Sequence, residues 1–252
     1  QKQDWNQAYT KSGELISSGV FELQEDNLDQ FHAQDSSFQF EPNPETIFGV
    51  VSYYNLSEGI VDSRNEGYRD NYWPGTAGAQ LSASEEFWNF INLNPTDARI
   101  DEWLLSEGGQ YQITRFGSPD NQVFFFPSPL VRLTHMHLIH AESICLMNMT
   151  AELDIAIGEI NLIRNRAFGE GINPVPADAS VTDIIQYARD EFRKETIGEG
   201  LWVDYLRRIG GLGEQEVIIR GAPWNCPGMA IQFPNSEGTG AAFVFNEEGG
   251  CN

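Results

Sequence analysis

Between Leu130 and Arg208 apolar residues return at helical spacing, and this periodicity constrains the fold more than any other feature of the chain. Leu133, Met136, Ile139, Ile144 and Met147 mark an amphipathic helix of about five turns over Leu130–Met149. A second helix follows at once, from a Thr150 cap through Leu153, Ile157, Ile160, Ile163 and Ala167 to a stop at Gly169. Two helices joined by so short a turn fold back as an antiparallel hairpin, the unit of tetratricopeptide-like arrays, and one or two such units fit here. A third helix opens at Ser180, where Asp183 completes a capping box, buries Ile184, Ile185, Ala188 and Phe192, and runs to about Gly198 or beyond.

The first half is organised differently. Trp5, Ala8, Ser12, Leu15 and Ile16 form a helix that breaks at Gly19, and the alternating Val20, Phe21 and Leu23 start a strand. The chain thus begins inside a helix with nothing upstream to pack on, which suggests a fragment. From Gln24 to Pro129, Pro42, Pro44, Pro74, Gly75, Pro95, Gly108, Gly109, Pro119 and Pro127 dictate long loops. Two islands stand out: a strand over Glu45–Val51 and a serine-capped helix over Ser84–Trp88. Gln110–Phe126 has hairpin character with its turn at Gly117–Asn121. In the irregular tail, Gly210-Gly211-Leu212-Gly213 is a turn rather than a phosphate loop, and Val217-Ile218-Ile219 a strand.

Charge excludes whole classes of partner. A net charge of -22 repels phosphate backbones and anionic membranes, so nucleic acid and peripheral lipid are disfavoured and neutral or cationic ligands favoured. No apolar run is long enough to cross a bilayer, and Gln1-Lys2-Gln3-Asp4 lacks the apolar core of a signal peptide, so any membrane address lies upstream of Gln1. Cys145 reads as a small core residue, while Cys226 and Cys251 in the tail are candidates for a disulfide in an oxidising compartment.

Each candidate for chemistry has a structural competitor. His137 and His140, three residues apart, share a helix face as zinc ligands would, but without a cysteine at ligand spacing they read better as packed or groove-lining side chains, and His135 points elsewhere. No metal or cofactor is expected. Glu191, Glu195 and Glu199 recur every four residues, a stripe suited to paired acid/base carboxylates, yet interleaved Asp190, Arg193 and Lys194 favour ion pairing. No Gly-x-Ser-x-Gly elbow occurs. Tyr53, Tyr54, Tyr68, Tyr72, Trp73, Trp88 and Trp103 cluster in the loop-rich half. As a group they suit the apolar faces of sugar rings, although core packing is the better account of any one of them.

The helical half carries an ordered motif series. Pro129-Leu130-Val131-Arg132-Leu133 leads to Leu138-Ile139-His140-Ala141-Glu142-Ser143. Glu159-Ile160-Asn161-Leu162-Ile163-Arg164-Asn165-Arg166-Ala167 comes next, then Arg193-Lys194-Glu195-Thr196-Ile197-Gly198-Glu199-Gly200 with Arg207 and Arg208. Upstream, Gly19–Leu23, Glu45-Thr46-Ile47-Phe48 and Asp97-Ala98-Arg99 extend the series, and Phe233–Glu237 with Asn246–Cys251 closes it. In this order the motifs resemble the C-terminal half of SusD/RagB-type nutrient-binding outer-membrane lipoproteins. Trp202 departs from the arginine common there, and His140 stands at a usually bland position.

The resemblance implies a mainly helical fold of tetratricopeptide-like hairpins with a loop-rich lobe of short strands. Residues 1–252 would be the C-terminal part of one domain: helix and strand start to 23, ligand lobe 24–129, helical frame 130–209, and irregular tail 210–252. Arg132, Glu142, Asn161, Arg164, Arg166, Glu195, Glu199 and Gly200 are implied to be structural signature residues, not ligand contacts. The implied function is non-catalytic capture of a glycan or other nutrient at the cell surface for a SusC-like TonB-dependent transporter, with the membrane reached only through a lipid anchor. A tetratricopeptide-like protein adaptor is the alternative, and a glycoside hydrolase using Glu195 and Glu199 is a third reading with less to support it.

Overall fold

In the computed structural model, residues 3–27, 43–51, 54–55, 60–61, 81–115, 127–213, 217–219 and 221–226 are described. The chain divides into two units, Lys2–Gly198 and Glu199–Asn252, the latter grouped with Gln1.

In the larger unit the hub is helix α4 (Leu133–Leu146), against which α1 (Trp5–Ser17), α5 (Leu153–Phe168) and α6 (Val181–Glu195) all pack. Being surrounded, α4 is apolar or buried on nearly every side rather than along one stripe, with Leu138, Ala141, Ile144 and Cys145 at its centre. Ala156, Ile160, Ile163 and Ala167 of α5 and Ile184, Ala188 and Phe192 of α6 complete this core. The opening helix therefore does have a partner, α4. No strand follows it: residues 21–24 are irregular, and Glu22 makes a single backbone bond, to Pro44.

The expected helix over Leu130–Met149 begins late. Pro127 and Pro129 hold their neighbourhood extended, and Pro127–Arg132 is strand β7, antiparallel to β1 (Thr46–Val51). The helix starts once the prolines are passed, and His135 Nδ1 accepts the Arg132 backbone N–H at 3.4 Å. Thr150 is not a helix cap either. Thr150–Glu152 form a single 3-10 turn, and α5 begins at Leu153. The Gly169 stop and the Ser180–Asp183 capping box hold as read, the serine Oγ accepting the Asp183 N–H at 3.2 Å.

The loop-rich lobe has its own small core. Helix α2 (Glu85–Ile91), capped by Ser84, and α3 (Arg99–Trp103) pack Phe87, Ile91, Ile100 and Trp103 against Ala83, Leu104 and Ile113. Those last three lie on a sheet of β4 (Ser82–Ala83), β6 (Gln110–Ile113) and β5 (Leu104–Glu107), ordered β4-β6-β5. β5 and β6 form a hairpin through Gly108 and Gly109, both at positive φ (58° and 79°) as a tight two-residue turn requires. The turn expected at Gly117–Asn121 lies outside the described residues. A further pair, β2 (Tyr54–Asn55) with β3 (Ile60–Val61), is antiparallel.

In the second unit, α7 (Trp202–Leu212) continues through the glycines expected to form a turn. Within that helix Gly210 leaves room for the Trp224 ring: a Cβ there would fall 2.3 Å from it. The helix ends with the Gly-Gly-Leu run and is capped by left-handed Gly213. β8 (Ile218–Ile219), expected from its apolar run, pairs with β9 (Ala222–Pro223). Among the described residues no helix is long and apolar enough to cross a membrane.

Candidate functional site

Of the expected stripe Glu191, Glu195 and Glu199, the first two lie on α6 and are engaged in ion pairs, while Glu199 lies beyond the end of that helix. Glu191 and Glu195, one turn apart and fully buried, are the anchors of a charge network that spans the larger unit. Arg99 reaches Glu191 (2.7 Å), Glu195 (2.8 Å) and Asp97 (2.7 Å). Arg164 of α5 pairs with Glu191 at 2.7 Å and, through two of its nitrogens, donates to the Asn173 carbonyl. Arg166 divides its guanidinium between Glu45 (2.9 Å) and Glu195 (3.0 Å). Arg132 bonds Glu45 at 3.2 Å and the Glu195 carbonyl at 2.8 Å, and Thr134 Oγ1 donates to the same Glu45 carboxylate.

Every buried charge here has opposite charges in contact, which is the condition for tolerating it at all. Burial pushes the Glu195 carboxyl up, but Arg166, Arg99, Arg132 and Arg115 outweigh it and hold the group at about 2. Asp97 is likewise held low by Arg99 and Lys194 against its own burial. A carboxylate so held is a poor proton donor at neutral pH and is already bonded by guanidiniums. The network ties β1, β7, α3, α5 and α6 together.

Of the other signature residues, Glu142 of α4 accepts from Arg189 Nε at 3.0 Å, and Asn161 accepts the Val175 N–H at 2.8 Å. Both fasten helices or loops to the frame. Glu199 is half-buried and Gly200 has φ 77°. Two further cations of the network, Arg115 and Lys194, carry no sequence signal of burial. Arg115 is fully buried, donates to the Glu195 and Ile197 carbonyls at the end of α6, and stacks 4.0 Å from the Trp103 ring. Lys194 reaches Asp97 at 3.1 Å. Neither is distinguishable in sequence from a solvated cation.

His140 is packed between α1, α4 and α5 with His137 beside it, while His135 faces Phe192 of α6. His140 Nδ1 lies 2.9 Å from both Glu159 oxygens, its ring stacks on Tyr9 at 4.6 Å, and the absence of a side chain on Gly13 lets the two helices close over it. His137 stands 3.9 Å from Glu159, and burial lowers its pKa to about 4. Among the described residues no group of three or more His, Cys, Asp or Glu is arranged to hold a metal.

The aromatic candidates divide. Trp103 is a correction: it is 1% exposed, its Nε1–H donates to the Asn27 carbonyl, and it lies at the centre of the lobe's core. A tryptophan with both faces and its polar tip spent inside the protein has nothing left for a ligand. Trp88 is only partly buried and stacks on Tyr111, ring centroids 4.7 Å apart and planes 13° from parallel. Tyr54 lies on β2, and Tyr53, Tyr68, Tyr72 and Trp73 lie outside the described residues. Cys145 is a buried free thiol, whereas Cys226 is disulfide-bonded; Cys251, its expected partner, lies outside the described residues.

This fold, a hub helix ringed by α1, α5 and α6 beside a small α/β lobe, matches that of SusD superfamily proteins. One such protein from Bacteroides thetaiotaomicron VPI-5482 superposes with a TM-score of 0.72 over 97% of this chain and 57% of its own, at 20% identity. A surface glycan-binding protein A from Bacteroides uniformis matches with a TM-score of 0.61, covering 97% and 57% at 17% identity. A SusD-like carbohydrate binding protein from Bacteroides vulgatus ATCC 8482 gives 0.60, covering 98% and 48% at 16% identity. In sequence, residues 125–223 match the model of the SusD family, so across its helical frame this chain is SusD-like in sequence as well as in fold. No curated protein matches the sequence. The chain spans about half the length of the solved structures it matches.

Proposed function

We propose that this protein is a non-catalytic glycan-binding protein of the cell surface that passes its ligand to a SusC-like TonB-dependent transporter. The observation that carries the reading is the SusD-type fold over nearly the whole chain, shared with two proteins whose names state carbohydrate or glycan binding. Two features of the chain agree. Glu195, one of the two carboxylates a glycosidase reading would use, is fully buried and bonded by Arg99 and Arg166, which leaves it no part in proton transfer. The disulfide at Cys226 suits an oxidising, extracytoplasmic compartment. Attachment would be through a lipid on a residue upstream of Gln1.

The test is calorimetry and a glycan array on the full-length protein, with product analysis of the mixtures. Binding without turnover is expected. Hydrolysis of a bound glycan by the wild-type protein, or the absence of any glycan binding, would overturn the reading. Co-purification with an outer-membrane transporter, retained after removal of glycan, is the expected partner result.

A further inference from the structure

We propose that the outer face of α5 is the surface on which the transporter docks, an inference that rests on the transporter reading above. Ala156, Ile160, Ile163 and Ala167 fill the side of α5 that packs on α4 and α6. On the opposite side Ile155, Gly158 and Leu162 follow at i, i+3 and i+7, the spacing of a single stripe, and the two aliphatics are 45% and 50% exposed. Ile172, 54% exposed, folds back over Gly169 and prolongs the stripe past the helix end, since a Cβ on Gly169 would lie 3.2 Å from its Cδ1.

Gly158 is what marks this face as a contact surface. Glycine inside a helix destabilises it relative to alanine, so the position needs a reason. For Gly13 the reason is the His140 ring, and for Gly210 it is the Trp224 ring. A Cβ on Gly158 would meet nothing within 4 Å among the described residues, and its φ is not positive. Neither internal packing nor backbone conformation therefore calls for glycine in the middle of α5. A partner's backbone laid across the helix does, because the distance of closest approach between two elements is set by the side chains at their contact.

The chemistry of the face selects its occupant. Aliphatic side chains offer sugar hydroxyls no partner, and the side-chain oxygens of Asn161 and Asn165 already accept the Val175 and Gly171 N–H groups at 2.8 and 3.2 Å. The rim is acidic: Asp154 and Glu170 are exposed, while both arginines of α5, Arg164 and Arg166, turn inward to Glu191, Glu45 and Glu195. A second copy of the chain would bring the same carboxylates and another net charge of -22 against them. Charge complementarity instead favours a protein surface with an aliphatic centre and lysine or arginine around it. The transporter is the protein that must stay in contact with this one while ligand is passed on, so the face is assigned to it.

The experiment uses the full-length protein co-purified with its transporter. Gly158→Cys is treated with a maleimide, free and in the complex, with wild type as the blank; Cys145 is buried and Cys226 is disulfide-bonded, so the new thiol dominates the labelling. It should label readily in the free protein and be protected in the complex. Gly158→Leu and Leu162→Ser should weaken the complex about tenfold or more. Gly158→Ala should melt about 1–3 °C above wild type yet hold the transporter several-fold more weakly, two opposite effects that a loss of folding cannot produce. Raising the salt concentration should also weaken the complex. A Gly158→Cys thiol that does not react in the free full-length protein means that the rest of that protein covers the face, and overturns the proposal. So does a complex left intact by all three substitutions, or a homodimer in light scattering that Gly158→Leu dissolves. Affinity that holds as salt rises overturns the basic rim. Failure of the wild type to co-purify with any transporter overturns the transporter reading and this face together.

Discussion

Glu195→Gln is the substitution that most directly asks whether the buried charges hold the frame. The side chain keeps its size, so no cavity forms, but one carboxylate oxygen becomes an amide whose hydrogens face guanidinium hydrogens: Arg99 at 2.8 Å on one side, Arg166 at 3.0 Å on the other. Removing one partner from a buried ion pair costs about 3–5 kcal/mol, because the remaining charge is left in a low-dielectric interior. The shift of the carboxyl's proton affinity by these same arginines gives a similar magnitude. The folded protein holds this carboxyl at about 2 against an ordinary 4.5, which corresponds to roughly 3 kcal/mol of stability. Because the pKa is lowered on folding, that stability is present above pH 4.5 and is lost as the pH falls toward 2. For a domain of this size the variant should melt about 6–20 °C lower at neutral pH. Calorimetry of both proteins between pH 7 and pH 2.5 makes the check. The wild-type advantage should shrink as the pH drops. A variant within about 1 kcal/mol of wild type, with an unchanged acid limb, would refute the claim that these pairs stabilise the frame.

Two further outcomes are expected. His137 should remain neutral in the folded protein until the pH nears about 4, read from its ring proton shifts by NMR. A base whose pKa is lowered by burial favours folding only while unprotonated, so its contribution is intact above about pH 6.5 and is lost between there and pH 4. A shift midpoint near 6.5 would contradict its burial. Gly210→Ala should cost about 1–3 kcal/mol, since the new methyl meets the Trp224 ring at 2.3 Å. Combining it with Trp224→Leu should recover part of that loss in urea melts, and additivity of the two would show that the ring does not sit there.

The chain alone determined its elements wherever local chemistry speaks without help. The periodic run Ile157–Ala167, the Ser84 and Ser180 caps, the stop at Gly169 and the apolar Ile218–Ile219 all hold. The ordered motif series also marked the family-like frame correctly, because Arg132, Arg164, Arg166, Glu45, Asp97, Arg99 and Glu195 prove to be members of one network. Tertiary structure decided the rest. Pro127 and Pro129 favour an extended backbone at Leu130, but its strand needed β1 to pair with, and the need for glycine at 210 is visible only once Trp224 comes to rest beside it. A charge reads the same in sequence whether solvated or buried, so Arg115 and Lys194 gave no sign of their places. Trp88 and Trp103 are equally plausible ligand contacts on paper. Only the fold turned one inward, its indole N–H spent on a carbonyl, and left the other partly exposed against Tyr111, because burial depends on what the rest of the chain brings to each ring.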